Sequence, residues 1–461
     1  MKTERFLTYL FAVAMGLMMV SVDVLATDGL QLATFQVDIT PPVGEGVGLF
    51  DNKTTEVEHP LYARGVVLKD GGGTYVLCSL DLGGLWNETH ALFLDKLAKA
   101  AQTEAQHVAV HSIHQHTAPF FDATAARMLY QDDLKKQALG LDYTKDATDK
   151  IAVAIEKAMQ SMQVVSHVGT AKAKAERVAS NRRVPGPNGT LLTRYSAVRE
   201  DDNSDKDEFL RNAPEGLIDP WVRTVTFYDG DKALVQMHYY AMHPQTVKGT
   251  KITYDVPGLA VAKLQKETGV PQMYFTGCGG NLAMGKYNRG IVEDRAALAE
   301  RLYQAMARAA KSREDKEVVS PIIWRSKAID FPLREEPEFT LAAQQKILNG
   351  SSAASGARAK AALLVAWIAR VKTGKPIKAS CLSMGKLRLL HLPGEPFVQF
   401  QLAAQKSGSG NFVATAALGE LGPCYIGEDR IYTDVGGYEQ SYAFAGPCEE
   451  MVKKVIARLV K

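Results

Sequence analysis

The stretch from residue 61 to residue 119 constrains this chain more than any other. Residues 61–69 and Thr74–Leu80 are apolar or alternating runs parted by Asp70-Gly71-Gly72-Gly73, the composition of a hairpin turn. Residues 89–103 repeat apolar positions at helical spacing, and His107-Val108-Ala109-Val110 returns to a strand pattern. Hairpin, helix and strand in that order predict an α/β layer. The last strand runs into His111-Ser112-Ile113-His114-Gln115-His116-Thr117-Ala118-Pro119, which holds three of the ten histidines. In extended backbone, residues i and i+2 share a face, so His114 and His116 project into one space. Such a pair begins a metal site, gives one metal-bound imidazole a hydrogen-bonding neighbour, or is a structural pair in a loop.

The rest of the chain repeats this punctuation. A strand at Leu32–Val37 leads to a rigid Asp38-Ile39-Thr40-Pro41-Pro42 entry. Residues 120–163 read as helices, 164–170 as a strand, and the polar Glu200–Glu208 stretch as a surface loop. Trp221–Tyr228 and Ala233–Tyr240 form a second hairpin about Asp229-Gly230-Asp231, and its second strand runs straight into Met242-His243-Pro244. A helix at about 258–267 and a strand Met273–Thr276 follow. That strand ends in Gly277-Cys278-Gly279-Gly280-Asn281, a cluster that lets backbone approach a ligand closely. It lacks the Lys-Ser/Thr of a phosphate loop and the spacing of a dinucleotide loop, so nucleotide binding is excluded. Residues 291–312 and 338–372 are helical. The strand Leu387–Leu392 ends at Pro393-Gly394-Glu395-Pro396, and a helix at 448–460 closes the chain. No internal repeat and no disordered linker is legible. The fold class is α/β: mixed β-sheets flanked by helices in a single large catalytic domain, with the site at strand ends.

Composition narrows the function. A 461-residue chain with 46% hydrophobic residues fills a large core. The formal charge is only +3, and its lysines and arginines are scattered, which argues against a nucleic-acid partner. Lys2 and Arg5 precede an apolar run from Phe6 to Val22, and Val24-Leu25-Ala26 has the small-residue form of a cleavage site. Residues 1–26 read as a signal peptide, 27–461 as the catalytic domain, and the destination as periplasmic or secreted. The five cysteines make no disulfide scaffold and no Cys-x-x-Cys, although Cys424 and Cys448 are near enough in sequence to pair.

The polar residues at strand ends are His114, His116, His243, Glu395 and Tyr425. Mixed imidazole and carboxylate ligands with an open position are what catalytic zinc requires. Zinc lowers the pKa of water to about 7 and polarises a carbonyl, which suits amide or ester hydrolysis. Spacing alone does not show that these residues meet.

Several motifs in order resemble the catalytic domain of the neutral/alkaline non-lysosomal ceramidase family, over roughly residues 30–460. They are Asp38-Ile39-Thr40-Pro41-Pro42, Leu61-Ala63-Arg64 with Ser79-Leu80-Asp81, Ile113-His114-Gln115-His116-Thr117-Ala118-Pro119, Asn181-Arg182, Met242-His243-Pro244 with Asp255-Pro257-Gly258, Pro393-Gly394-Glu395, and Tyr425 with Gly437-Tyr438-Glu439. The resemblance implies one Zn2+ per chain held by His114, His243, Glu395 and Tyr425. It implies His116 beside the zinc-activated water, and Arg182 and Tyr438 stabilising the oxyanion, roles that suit a forked cation and a phenol. His107 and His111 are left as structural. The implied substrate is a small-molecule or lipid amide, with contact at a membrane surface. Departures from the family pattern are Gly277 where a serine is expected, Asn281 where an aspartate is expected, and no residues for the family's C-terminal immunoglobulin-like domain. Three readings stay open: a ceramide-cleaving amidohydrolase, the same zinc scaffold acting on another amide or ester, and an inactive exported binding protein.

Overall fold

The computed structural model describes residues 29–461 apart from 45, 48–51, 131–133, 199–204, 313–314 and 351–352. The leader expected at 1–26 lies outside the described residues. No described helix is long and apolar enough to cross a membrane.

The first hairpin forms as the sequence predicts: Tyr62–Asp70 pairs antiparallel with Gly73–Leu80. Gly73 takes φ 148° in the turn, a value side chains disfavour. Gln31–Asp38 lies antiparallel on the hairpin's outer edge. The helix Asn87–Ala100 then carries the chain over to Val108–Ser112, which runs parallel to Gly73–Leu80. The helix Leu134–Met159 returns to pack on both Asn87–Ala100 and Gln31–Asp38.

This order of strand, hairpin, helix, parallel strand and helix occurs three times. In the second unit the elements are His167–Lys174, Trp221–Asp229 with Lys232–Tyr240, Asp255–Thr268, Gln272–Thr276 and Val292–Lys311. In the third they are Ile323–Ile329, Ile377–Met384 with Leu387–His391, Val398–Ser407, Phe412–Ala416 and Glu449–Val460. The sequence reading of no internal repeat is therefore corrected at the level of topology. Equivalent strands share an apolar alternation rather than a motif, and the segments joining first strand to hairpin differ in length and content.

Alternation explains how the units assemble. Side chains on one face of each sheet (Val66, Leu68 and Leu77; Val225, Phe227 and Met237; Leu382, Leu389 and Ala414) meet in one central core shared by all three units. The opposite faces lie under the helices. Val67, Val76 and Val108 pack on Phe93, Leu97 and Ile151. Val222 and Tyr274 pack on Leu264 and Leu298. Ala379, Leu390 and Val413 pack on Phe400, Val455 and Ile456. Three helix-backed sheets thus surround one axis, buried on both faces.

Four local readings change. The stretch read as a loop at Glu200–Glu208 enters a helix at Asp205–Asn212, because Leu210 is buried with Val184 and Val198, and Arg194 Nη1 donates to the Leu210 and Ala213 carbonyls. The helical stretch 338–372 is two helices, Leu341–Asn349 and Ser355–Lys372. The strands Ile323–Ile329 and Ile377–Met384 went unread, since lysines and arginine interrupt their apolar runs. Cys424 and Cys448 are buried free thiols and form no disulfide.

Phe227→Ala removes a fully buried ring from the shared core, and we expect it to cost about 3–5 kcal/mol in urea unfolding. A loss under about 1 kcal/mol would show that the three sheets do not depend on a common core.

Candidate metal centre

The candidate site is built where strands of all three units end. Hydrogen bonds there link the units in a closed circuit. Thr276 Oγ1 donates to the Ile113 carbonyl at 2.8 Å, Ala417 N–H to the Thr276 carbonyl at 2.8 Å, and Ser112 N–H to the Leu418 carbonyl at 3.0 Å. Just beyond the strand ends come His114 and His116 from the first unit, His243 from the second, and Glu395 and Tyr425 from the third. Glu395 and Tyr425 are register partners in a short parallel ladder, Glu395–Pro396 with Tyr425–Ile426.

The backbone at His114 is left-handed, φ 73°, a conformation costing on the order of 1–3 kcal/mol in a non-glycine residue. Two bonds hold it there: its N–H donates to the Leu82 carbonyl at 3.0 Å and its Nδ1–H to the Gly83 carbonyl at 2.5 Å. Donation from Nδ1 leaves a lone pair on Nε2 in the neutral ring. That nitrogen lies 3.2 Å from Glu395 Oε2, a buried oxygen with no hydrogen-bond partner. Two acceptors so close call for a cation or a proton between them.

His243 Nε2 faces His116 Nε2 at 3.2 Å, and the Gly279 backbone supports the His243 ring from behind. His116 is held by its Nδ1–H donating to the His114 carbonyl at 3.0 Å, with the Pro244 carbonyl as a further acceptor. The ring centroids of the three histidines stand 4.8 Å apart in every pair, and Phe120 lies 5.5 Å from two of them. Burial, reinforced by the neighbouring imidazoles and Arg182, drives His116 and His243 well below the usual histidine pKa. Both rings are therefore neutral and keep their lone pairs. One ligand atom from each of His114, His116 and His243 lies within 4.8 Å of the others, and the group can hold a metal ion. The orphaned Glu395 oxygen adds a fourth donor of the right chemistry.

A donor wall stands beside this group. Tyr425 and Tyr438 share a hydroxyl–hydroxyl hydrogen bond of 2.9 Å, and the Arg182 guanidinium lies over both rings, at 5.0 and 4.6 Å. Arg182 Nε donates to Glu439 Oε1 at 3.0 Å and Nη2 to the Gly280 carbonyl at 2.5 Å. Burial opposes the charge on Arg182, but Tyr425, Tyr438 and Glu439 hold its pKa well above normal. Burial also pushes the Tyr438 phenol up to about 12 and Tyr425 well above its usual value, so both are protonated donors near neutral pH. Asn181 turns the chain: its Oδ1 accepts from Arg183 N–H and its Nδ2 donates to the Leu217 carbonyl.

The glycine segment has a different use from the one read in the sequence. A Cβ on Gly280 would lie 2.2 Å from the Glu395 carbonyl oxygen, and one on Gly279 would lie 2.5 Å from the Met242 carbonyl oxygen. These glycines let the segment press against the backbones that carry Glu395 and His243. Asn281 starts the helix Val398–Ser407, its Oδ1 accepting from Val398 N–H at 2.9 Å. A Cβ at Gly277 would meet Gln401 Oε1 at 2.3 Å, and Gln401 is itself tied to Cys278 N–H and Asp219. His111 is structural, with Nδ1–H on the Ala417 carbonyl at 2.7 Å and Nε2 against His391 Nδ1 at 3.1 Å. His107 packs on Tyr75 and Trp324. Residues the sequence reading left without a role are Phe120, the Gly83 carbonyl and Glu439. Only Glu439 carried a signal, as the charged neighbour of Tyr438.

Among solved structures, neutral ceramidase from Pseudomonas aeruginosa aligns with a TM-score of 0.68 at 16% identity, over 94% of this chain and 74% of its own. A ceramidase complexed with C2 aligns equally well, over 94% of this chain and 75% of its own, again at 16% identity. At that identity the likeness is one of fold. No protein-family model and no curated protein matches the chain.

The structural histidines carry a pH signature. His238 is buried between Thr224 and Gln272, and burial lowers its pKa to about 4 from 6.5. The unfolded chain takes up this proton near 6.5 and the folded chain only near 4. Its contribution to stability is therefore whole above 6.5 and declines as pH falls to 4, by up to about 1.4 kcal/mol per unit. Urea midpoints of the wild type should fall more steeply across that window than those of His238→Gln; equal slopes would place the proton elsewhere.

Proposed function

We propose that the protein is an exported zinc-dependent amidohydrolase, with residues 27–461 as its catalytic domain, that cleaves an N-acyl amide of ceramide type. The observation that carries this reading is the pairing of two features: the His114 Nε2 lone pair set against the unpartnered Glu395 Oε2 with His116 and His243 alongside, and a wall of hydrogen-bond donors beside them. The ceramidase-like fold supports the substrate class, and the basic, then apolar, start of the sequence supports export.

In this reading His114, His243 and Glu395 would hold one zinc ion, and Tyr425, a protonated donor in the arrangement described above, would join them as fourth ligand by giving up its proton. A bound zinc lowers the pKa of water to about 7 and polarises a carbonyl. His116, kept neutral by burial, takes the proton from the attacking water at Nε2 and returns it to the leaving nitrogen. The water oxygen ends on the acyl carbon, the C–N bond breaks, and fatty acid and free amine leave. Arg182 and Tyr438 donate to the carbonyl oxygen as negative charge grows on it, and each such donor is worth about 10²–10³ in rate. The Glu439 anchor fixes Arg182 before substrate arrives, so little reorganisation is needed at the moment of reaction.

One observation favours a second reading, the same scaffold acting on another amide or an ester. The position where the family resemblance expects a serine is Gly277, and Gln401 fills the space beside it.

The purified protein should contain stoichiometric zinc, with metal lost on His114→Ala and on Glu395→Gln. Arg182→Met should keep the metal while rate falls about 10²-fold or more. Full metal content in both ligand variants rejects the site. Turnover of a panel of acyl amides and esters without fatty-acid release from a ceramide analogue rejects the first substrate class in favour of the second.

A further inference from the structure

We propose that Glu439 is the positioning residue for Arg182, and that Arg183 keeps the pair cationic; the proposal rests on the oxyanion role given to Arg182 above. Glu439 is fully buried, yet both of its oxygens are taken. Oε1 accepts from Arg182 Nε at 3.0 Å, while Oε2 accepts from Arg183 Nη1 and, at 3.3 Å, from the Tyr438 N–H. One carboxylate therefore orients the guanidinium and ties down the backbone of Tyr438, the two groups that face the developing charge.

Charge counting gives Arg183 its part. A buried Arg182–Glu439 pair alone is neutral, and a neutral pair offers little to an oxyanion. With Arg183 also on the carboxylate, the buried trio carries net +1. The counter-charge for Arg183 is Asp434, which accepts from Nη2 at 2.6 Å and is the outermost of the four groups, with 19% of its side chain exposed. The chain from surface to site is thus Asp434, Arg183, Glu439, Arg182, then the faces of Tyr425 and Tyr438. The loop is shaped for this chain. Gly437 takes φ 77°, and a Cβ there would come within 2.8 Å of Arg183 Nη1. A side chain at 437 would push Arg183 off the carboxylate.

The test uses the full metal-loaded chain with 15N-labelled arginine, and a panel of acyl amides and esters for activity. In Glu439→Gln the Arg182 Nε–H should lose its protection from exchange, and kcat should fall at least about tenfold with KM within about threefold. Arg183→Met should keep the Arg182 Nε–H protected but lower kcat by a similar factor. Arg183→Lys, which restores the charge without the fork, should recover most of the loss. Should Glu439→Gln not fold, Glu439→Asp takes its place with the same readouts. Unchanged Nε–H protection in the Glu439 variant overturns the positioning role. A lysine variant as impaired as the methionine variant overturns the charge role. If no amide or ester is turned over by the wild type, the hydrolase reading fails. The exchange measurement then still decides whether Glu439 holds Arg182.

Discussion

The site depends on a closed circuit of three hydrogen bonds: Thr276 to Ile113, Ala417 to Thr276, and Ser112 to Leu418. Each bond joins one unit to the next, and the third returns to the first. Strand ends joined this way cannot slide past one another without breaking two units apart. The segments beyond them inherit that rigidity. His114 and His243 follow almost directly, and Glu395 is anchored at once by ladder pairing to Tyr425. Short, pinned extensions are what allow imidazole and carboxylate atoms from three separate layers to converge within hydrogen-bond reach.

Two kinds of electrostatics meet at this end of the axis. The imidazole group is only partly satisfied. His114 and His116 are held at Nδ1 by backbone carbonyls, His116 and His243 meet at Nε2, and the His114 Nε2 lone pair faces the unpartnered Glu395 Oε2. Burial makes that arrangement expensive unless a cation joins it. The arginine chain is the opposite: Arg182, Glu439, Arg183 and Asp434 alternate in sign and bind one another. The first group is open to a ligand and the second is a fixed field. The two tyrosines lie where these regions touch, and Arg182 covers their rings.

Much of this was legible in the sequence. The hairpins around Asp70-Gly71-Gly72-Gly73 and Asp229-Gly230-Asp231, the strand into the histidine cluster, and the positions of His243 and Glu395 past strand ends all followed from turn chemistry and apolar period. What stayed hidden has physical causes. The threefold architecture is carried by topology and burial, which leave only alternation in the sequence. Strands such as Ile323–Ile329 are half exposed, and their charged residues mask the period. The glycines at 279 and 280 gave a true signal of close approach, but what approaches is the Met242 and Glu395 backbone, which no local pattern could tell. The tautomer of His114 rests on a carbonyl at Gly83, distant in sequence and without a side chain to read.

The threefold arrangement also sets an order of events in synthesis. The chain leaves the ribosome with its N-terminus first, so the first unit and its His114 emerge earliest. Such a nascent chain has two nearby histidines to offer, and His243 joins them only when the second unit docks. Glu395 and Tyr425 come from the last quarter of the chain. A half-made protein therefore holds the histidine part of the site without the carboxylate and the phenol that lie beside it. Assembly of the site is thus the final act of folding, complete only once the third unit has docked.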